Sequence, residues 1–261
     1  MRIGKAQPAI TSICEARADA IEVRGRDLVR DLMGKVTFTD HVHLLLTGRM
    51  PTDEQRFFLD LLLVAISEHG LVPTVQAARM TLAADPGSLQ GALAAGILGA
   101  GPVILGTAEL CADLLTDIRG RIDAGAEETA AVSDAINAVH SSGGKLPGFG
   151  HPVHKPADPR AERILELANE RGVAGRHVAL SLAVRDAAAR AWGRPLVMNV
   201  SMPIAAVLLD LDFAPSMVKA IPLLARTASL LAHLAEEREN PIGFAMAAEG
   251  EAAVTYVRRD G

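Results

Sequence analysis

The sequence predicts an all-α protein. Apolar residues recur at helical spacing along most of the chain, helix-favouring Ala and Leu dominate the composition, and runs with strand character are scarce. With 261 residues, 49% of them hydrophobic, the chain can bury a sizeable core and form one large or two modest domains. It contains no clean linker, so we expect any second domain to be an insertion into the first.

The N-terminal part of the chain is predicted to contain two helices. Charged residues are interspersed along residues 21–33, and Gly34 suits a C-cap, so we expect a helix there. A short helix is expected over residues 40–46. It should stop at Gly48, because glycine tolerates the backbone conformation that commonly ends a helix.

Helical signals continue through the rest of the chain. Thr52 as N-cap and Gln55 three residues later form the pattern of a capping box, which predicts a helix ending near residues 69–70. Further helices are predicted over residues 74–84, 88–98, 103–118, 127–139, 160–171 and 177–191. Residues 216–237 are predicted to form one long helix or two, because Pro222 could kink it. The apolar stretch 196–209 is expected to be buried, and residues 254–257 are the one strand-like run.

Composition narrows the class of protein. The net charge of −5 and the lack of a basic run exclude a nucleic-acid-binding surface, so local basic groups must capture any anionic ligand. Residues 92–108 are uncharged but short for a membrane span, which favours a buried helix–turn–helix. No signal peptide is recognisable, and Cys14 and Cys111 lack metal-like spacing and are expected to be buried. We therefore expect a soluble cytoplasmic protein.

The most informative segment is the glycine- and proline-rich loop over residues 147–155. Asp158 as N-cap and Pro159 at the first helical position predict that a helix starts just after it. Backbone N–H groups of such a loop can approach a ligand, and His151 can donate a hydrogen bond or transfer a proton near neutral pH. Arg160 can hold a carboxylate through two parallel hydrogen bonds. Each residue alone fits an ordinary surface loop, but their co-occurrence favours a site.

Polar groups also stand in apolar surroundings elsewhere. His69 lies at a predicted helix end, Asn199 and Ser201 interrupt an apolar stretch, and Arg226 and His233 lie on one face of a predicted helix. A buried cation needs a partner, because burying an unpaired charge is costly. That partner is either an internal carboxylate or a bound one, and the sequence leaves both open.

The other histidines do not predict a metal site. His41 and His43 are two residues apart, which places them on different faces of a helix. His140 and His154 are expected to have structural roles, although His154 is close enough to His151 to reach a ligand bound there.

Taken in order, these motifs resemble the citrate synthase superfamily and, within it, the short citryl-CoA lyase-like branch. The most specific match is residues 148–151 (GFGH) with 158–161 (DPRA). The other matching segments are residues 44–52, 68–70, 199–201 and 225–228. The resemblance implies a citrate synthase-like all-α fold with a large helical domain, residues 1–108 and 207–261, and an inserted smaller helical domain, residues 109–206.

The resemblance also implies a role for individual residues. His69 and His151 would contact oxygen atoms of a carboxylated partner, Arg160 and Arg226 would hold its carboxylates, and Asn199 would help to bind it. The loop backbone would lie along coenzyme A through Leu146, Pro147, Gly148, Phe149 and Gly150. A CoA thioester is implied as substrate, with no tightly bound cofactor and no metal. The implied assembly is a homodimer or larger homo-oligomer, with no nucleic-acid or membrane partner.

Two departures from the family pattern bear on catalysis. Ile104 stands where synthases place a histidine that polarises the acetyl thioester, and this favours a lyase over a synthase. Ser201 stands where synthases and lyases both use an aspartate. A serine hydroxyl is a poor general acid or base unless it is activated. Ser201 could instead hydrogen-bond the thioester oxygen or orient a water molecule.

Two functional hypotheses follow. The first is an enzyme, a carbon–carbon lyase that cleaves citryl-CoA or a related carboxylated 3-hydroxyacyl-CoA to acyl-CoA and an oxo acid, with His151, His69 and Ser201 as catalytic residues. The alternative is a diverged CoA-thioester-binding protein without citrate synthase-type catalysis.

Overall fold

Helices dominate the computed structural model, which describes residues 9–151 and 153–258. Three short strands and a π-helical turn come first: β1 (Cys14–Ala16), β2 (Ile21–Val23), β3 (Arg26–Asp27) and Leu28–Leu32. The helices are α1 (Phe38–Thr47), α2 (Asp53–Ser67), α3 (Pro73–Ala84), α4 (Leu89–Leu98), α5 (Thr107–Asp123), α6 (Glu128–Ser141), α7 (Pro159–Glu170), α8 (Arg176–Ala191), α9 (Ser201–Asp210), α10 (Ala220–Glu239) and α11 (Gly243–Ala252). Contacts divide the chain into two compact units, up to Asp60 and from Leu61 onward.

The helix predicted over residues 21–33 is wrong, because the chain reverses direction there. Arg24 and Gly25 have positive φ angles of 50° and 76°, which form a tight turn between β2 and β3. β2 pairs antiparallel with both β1 and β3 in a three-stranded sheet. The charges that suggested a helix therefore lie largely on a hairpin.

Helix ends in the first unit follow local capping chemistry. Thr37 and Asp40 form a capping box at the start of α1, and Gly48 ends that helix with a φ of 76°. At the start of α2, the Gln55 amide donates to Thr52 Oγ1 at 3.1 Å, and the Thr52 amide donates to Gln55 Oε1 at 3.0 Å. The predicted stop at Gly48 and the predicted capping box are both confirmed.

Helices of the second unit pack in two groups. In the first group α3 contacts α4, α10 and α11, around a cluster of buried apolar side chains. In the second group α5, α7 and α8 contact α9, and α6 packs on α5 and α8. Every residue from 202 to 209 is buried, which confirms the expected burial of most of that stretch. The separate small domain over residues 109–206 stays a prediction.

Proline residues and a positive φ angle lie at or just before the starts of three helices, α9, α10 and α5. Pro203 and Pro222 lie in the first turns of α9 and α10, where the missing N–H has no intrahelical partner to lose. Neither proline interrupts its helix. α5 begins later than expected, because the preceding residues form a loop in which Leu105 has a φ of 67°, outside the helical region. The stretch 92–108 is therefore a helix, a loop and the start of a second helix.

Two further predictions are corrected. Residues 254–257 form no strand, since no other described segment pairs with them, and Tyr256 is 87% exposed. Cys14 is exposed on β1, whereas Cys111 is buried as expected.

One helical segment, Pro215–Glu239, is apolar and long enough to cross a membrane by length and composition alone, a test that packed core helices also pass. The absence of a membrane partner stays a prediction.

Candidate active site

The glycine loop is pressed against two helices of the second unit. A Cβ atom on Gly148, which has a φ of 78°, would lie 2.8 Å from Cys111 Sγ on α5 and 2.8 Å from Met202 Cβ on α9. The Asn199 amide donates to the Gly148 carbonyl at 2.8 Å, and the Gly150 amide donates to the Val197 carbonyl at 2.7 Å. Only glycine satisfies both the backbone conformation and the close approach.

Asp158 anchors this loop to the starts of α7 and α9. Its side chain is fully buried and caps α7 by accepting from the Arg160 amide at 3.1 Å, which confirms the predicted N-cap. It also accepts from Arg160 Nε at 3.1 Å, from Arg160 Nη2 at 2.9 Å and from the Val200 amide at 3.1 Å. Burial alone would raise the pKa of Asp158, but the hydrogen bonds and charge of Arg160 outweigh burial and lower it.

Three half-buried imidazoles meet beside this anchor. The ring centroids of His69 and His151 are 5.3 Å apart, those of His151 and His154 are 4.3 Å apart, and those of His69 and His154 are 5.7 Å apart. The structure thus brings together the two histidines that the resemblance implied. It adds His154, for which we expected a structural role.

Hydrogen bonds fix the proton position on His151. Its Nδ1 accepts from the Val153 amide at 3.1 Å and from the His154 amide at 2.9 Å, so the proton of the neutral ring is on Nε2. Burial and the charges of His154, Arg160 and His69 lower the pKa of His151, against the opposing charge of Asp158. The ring is therefore a neutral Nε2–H donor near pH 7.

A second donor lies at the same place. Arg160 Nη2 is 3.4 Å from His151 Nε2, and neither group can accept a hydrogen bond from the other in this tautomer. Two adjacent donors of this kind suit an oxygen atom that carries negative charge, such as a carboxylate or a developing alkoxide.

The same cluster offers one potential ligand atom from each of three histidines, all within 4.8 Å of one another, as a metal site would. A metal ligand needs a free lone pair. On His151 the lone pair of Nδ1 accepts two amide hydrogens, and Nε2 carries the proton beside the Arg160 guanidinium. The arrangement is therefore better suited to a ligand oxygen than to a cation.

Glu68 holds the backbone of His69 against α10. Its Oε1 accepts from the His69 amide at 2.8 Å and the Gly70 amide at 2.5 Å. Its Oε2 accepts from Ser229 Oγ at 2.5 Å and lies 3.0 Å from His233 Nε2. Partial burial would raise the pKa of Glu68, but these hydrogen bonds and the His233 charge lower it. This role of Glu68 was not predicted, although a carboxylate directly before His69-Gly70 is a signal for it in the sequence.

Arg226, also on α10, is a buried cation with unused donors. Its side chain is 2% exposed, and its Nε and Nη1 have no hydrogen-bond partner among the described residues. Burial lowers the pKa of Arg226, while the charge of Glu68 opposes that effect. Glu68 therefore supplies compensating charge but no hydrogen bond to these two nitrogens, and carboxylate binding by Arg226 stays a prediction.

Asn199 and Ser201 lie at the start of α9. The side-chain amide of Asn199 donates from Nδ2 to the Gly150 carbonyl at 3.0 Å, and its Oδ1 accepts from the Ser201 backbone amide at 3.0 Å. The side chain therefore joins the loop to the helix. The Ser201 hydroxyl is half-buried and makes no hydrogen bond with the described residues. Substrate binding by Asn199 and catalysis by Ser201 stay predictions.

Comparison with known proteins identifies the family. Residues 54–243 match the family described as citrate synthase, C-terminal domain. The chain belongs to the citrate synthase family. A putative citrate synthase 2 of Mycobacterium tuberculosis is 32% identical over 188 residues, covering 69% of this chain and 47% of that protein. The glyoxysomal citrate synthase of Cucurbita maxima is 30% identical over 191 residues, covering 70% and 35%. This family member therefore spans about half the length, or less, of these curated relatives.

Solved structures confirm the predicted citrate synthase-like all-α fold. The citryl-CoA lyase of Hydrogenobacter thermophilus superposes with a TM-score of 0.84 at 27% identity, covering 98% of this chain and 96% of that one. The citrate synthase of Thermotoga maritima gives 0.67 at 19% identity, covering 87% and 58%. The ATP citrate lyase of Methanothrix soehngenii, solved with citrate and coenzyme A, gives 0.78 at 20% identity, covering 99% and 43%. Among these, the lyase of similar length has the highest structural similarity.

Proposed function

We propose that this citrate synthase family member is a CoA-thioester lyase. It cleaves citryl-CoA or a related carboxylated 3-hydroxyacyl-CoA between the hydroxyl-bearing carbon and the CoA-linked methylene, giving acyl-CoA and an oxo acid. The main support for this proposal is the buried guanidinium of Arg226, which has two nitrogens without a hydrogen-bond partner among the described residues. Because burying an unpaired charge is costly, an anionic ligand would stabilise it.

The donors of the site can divide the work on such a substrate. Arg226 and Arg160 bind carboxylates, and the neutral His151 donates from Nε2 to the oxygen that becomes the new carbonyl. That oxygen carries the most negative charge as the carbon–carbon bond breaks, so a fixed donor there lowers the barrier. His69 contacts the same substrate from the other side of the cluster, and the backbone of residues 146–150 lies along coenzyme A.

The direction of chemistry is supported by structural similarity and by position 104. The chain superposes with a higher TM-score on a citryl-CoA lyase, 0.84, than on the citrate synthase of Thermotoga maritima, 0.67. Ile104 cannot donate a hydrogen bond to an acetyl thioester, which disfavours synthase-type enolisation. We further propose that the protein acts as a cytoplasmic homodimer and holds no cofactor other than its CoA-thioester substrate.

One alternative has specific support. Ile104 and Ser201 replace both proton-handling residues that the family resemblance implied, so the chain could bind CoA thioesters without citrate synthase-type catalysis. Binding and cleavage must therefore be measured separately.

The test is incubation of the purified protein with citryl-CoA and a panel of carboxylated 3-hydroxyacyl-CoA thioesters. Release of acyl-CoA is followed by mass spectrometry, and affinity for each thioester by calorimetry. We expect cleavage of at least one carboxylated thioester and none of a matched thioester that lacks the carboxylate. Tight binding without cleavage across the panel would instead establish the diverged binding protein.

A further inference from the structure

The proposed cleavage needs one proton to move a short way. The hydroxyl O–H bond breaks, the oxygen becomes a carbonyl as the carbon–carbon bond breaks, and the electron pair passes to the acyl-CoA enolate. The enolate carbon then needs a proton. Since one proton leaves oxygen and one arrives at carbon, a single neutral base in reach of both atoms completes the reaction without any net acid or base.

Most ionisable groups around the cluster cannot be that base. Asp158 and Glu68 each accept several hydrogen bonds. Their lowered pKa values make the carboxylates weak bases, so they are poor groups for taking up a proton near neutral pH. His151 accepts two amide hydrogens at Nδ1 and carries its proton on Nε2, so it has no lone pair for a substrate proton. An unactivated Ser201 hydroxyl is a poor acid and a poor base.

Two imidazoles remain, and their ring geometry separates them. The His154 ring lies 4.3 Å from the His151 ring and is tilted against it by 30°. The His69 ring is 5.3 Å from His151 and inclined by 57°. His154 is therefore the imidazole nearer to His151, the residue that holds the reacting oxygen in the proposed function. Neither the His154 ring nor the His69 ring makes a hydrogen bond with any described residue, so each keeps a ring nitrogen able to accept a proton, and proximity to His151 favours His154.

We propose that His154 is the proton shuttle of the reaction, an inference that rests on the proposed lyase function. Neutral His154 takes the hydroxyl proton as the carbon–carbon bond breaks. It then delivers that proton to the enolate carbon and returns to the neutral state. The two substrate atoms are separated by a single carbon, so one side chain can serve both without leaving the site.

The test compares His154→Gln with the matched variant His140→Gln. Glutamine keeps hydrogen-bonding capacity near the size of histidine but cannot carry the proton. His140 is exposed and packs on Trp192 at 4.5 Å, away from the imidazole cluster. In His154→Gln we expect kcat for citryl-CoA cleavage to fall about 10²–10⁴-fold, the contribution typical of acid–base catalysis. The affinity for citryl-CoA should stay within a few-fold, and His140→Gln should match wild type in both.

Two further measurements separate proton transfer from packing. Added imidazole should restore part of the activity of His154→Ala, because a small base can occupy the space of the missing ring. In D₂O, wild type should exchange the methyl protons of the acyl-CoA product when the oxo acid is bound, and His154→Gln should not.

The outcomes distinguish this inference from the function on which it rests. Cleavage by wild type with full activity in His154→Gln overturns the shuttle but leaves the lyase function standing. Loss of activity with no imidazole rescue and weakened substrate binding also overturns it, in favour of a structural role. If wild type cleaves nothing, the function and the shuttle both fail.

Discussion

Arg79 on α3 and Arg226 on α10 are equally buried, yet only one of them is saturated with partners. Each is 2% exposed. Arg79 donates to Glu237 Oε2 at 2.6 Å, to Glu236 Oε2 at 2.5 Å and to the Asn240 carbonyl at 3.1 Å. Arg226 has two buried nitrogens without a hydrogen-bond partner among the described residues.

The pKa shifts of the two arginines have opposite signs. Burial lowers both, but hydrogen bonds to Glu236 and Glu237 outweigh burial at Arg79 and raise its pKa, whereas at Arg226 burial prevails over the charge of Glu68. Arg79 thus stabilises the fold. Arg226 is an unfavourable feature of the ligand-free protein, and a bound carboxylate would remove that cost.

The largest predicted effect is on Arg79. Arg79→Met leaves Glu237 buried without its cation, and the free energy of unfolding should fall by about 3–5 kcal/mol. Urea denaturation measures this. The control is Arg119→Met, which breaks the more exposed pair with Asp123 and should cost no more than about 1 kcal/mol. Equal losses of unfolding free energy in both variants would show that the buried ion pairs of Arg79 stabilise the fold no more than an exposed pair does.

Arg226→Met should have the opposite profile. Removing a buried cation that lacks full pairing is expected to leave the free energy of unfolding unchanged or higher. Binding of citrate, the simplest carboxylated probe, should weaken by about 2–5 kcal/mol, or roughly 30-fold and more. Calorimetry gives the affinity and urea denaturation the stability. A strongly destabilised variant with normal citrate affinity would assign Arg226 to the fold instead.

Bound citrate should pair with Arg226 as Glu236 and Glu237 pair with Arg79, and should therefore stabilise the fold. Citrate at 100 times its Kd should raise the free energy of unfolding of wild type by about 2.7 kcal/mol through mass action. Thermal unfolding with and without citrate measures the shift. Arg226→Met should show little of it at the same concentration. A matching shift in that variant would mean that citrate binds elsewhere.

The smallest predicted effect is the acid dependence of the Arg79 pair. Burial raises the pKa of Glu237, but hydrogen bonds from Gly243 and Arg79 hold it below the ordinary value of 4.5. Its stabilising contribution is therefore complete above pH 4.5 and is lost as the pH falls through the lowered pKa. The stability gap between wild type and Arg79→Met should narrow below that pH in denaturation series. A gap that stays constant would show that the ion pair contributes little.

Much of the site was visible in the sequence. The resemblance placed His69, His151, Arg160 and Arg226 in one site, and the structure brings His151 beside both His69 and Arg160. For His154 the sequence favoured a structural role, with a ligand bound at His151 in reach, and only the fold shows its ring beside those of both His69 and His151. The roles assigned to individual residues stay predictions.

Sequence alone determined the local features. Local sequence determines the helix caps at Thr52 and Asp158 and the helix end at Gly48. The residues that form each of them lie within one turn of each other, so they do not depend on the tertiary fold. Tertiary structure decided what those local patterns could not. Arg79 and Arg226 both lie in apolar helices, but the partners of Arg79 are more than 150 residues away along the chain. Only folding shows which cation meets an internal carboxylate and which one has buried nitrogens without a hydrogen-bond partner among the described residues.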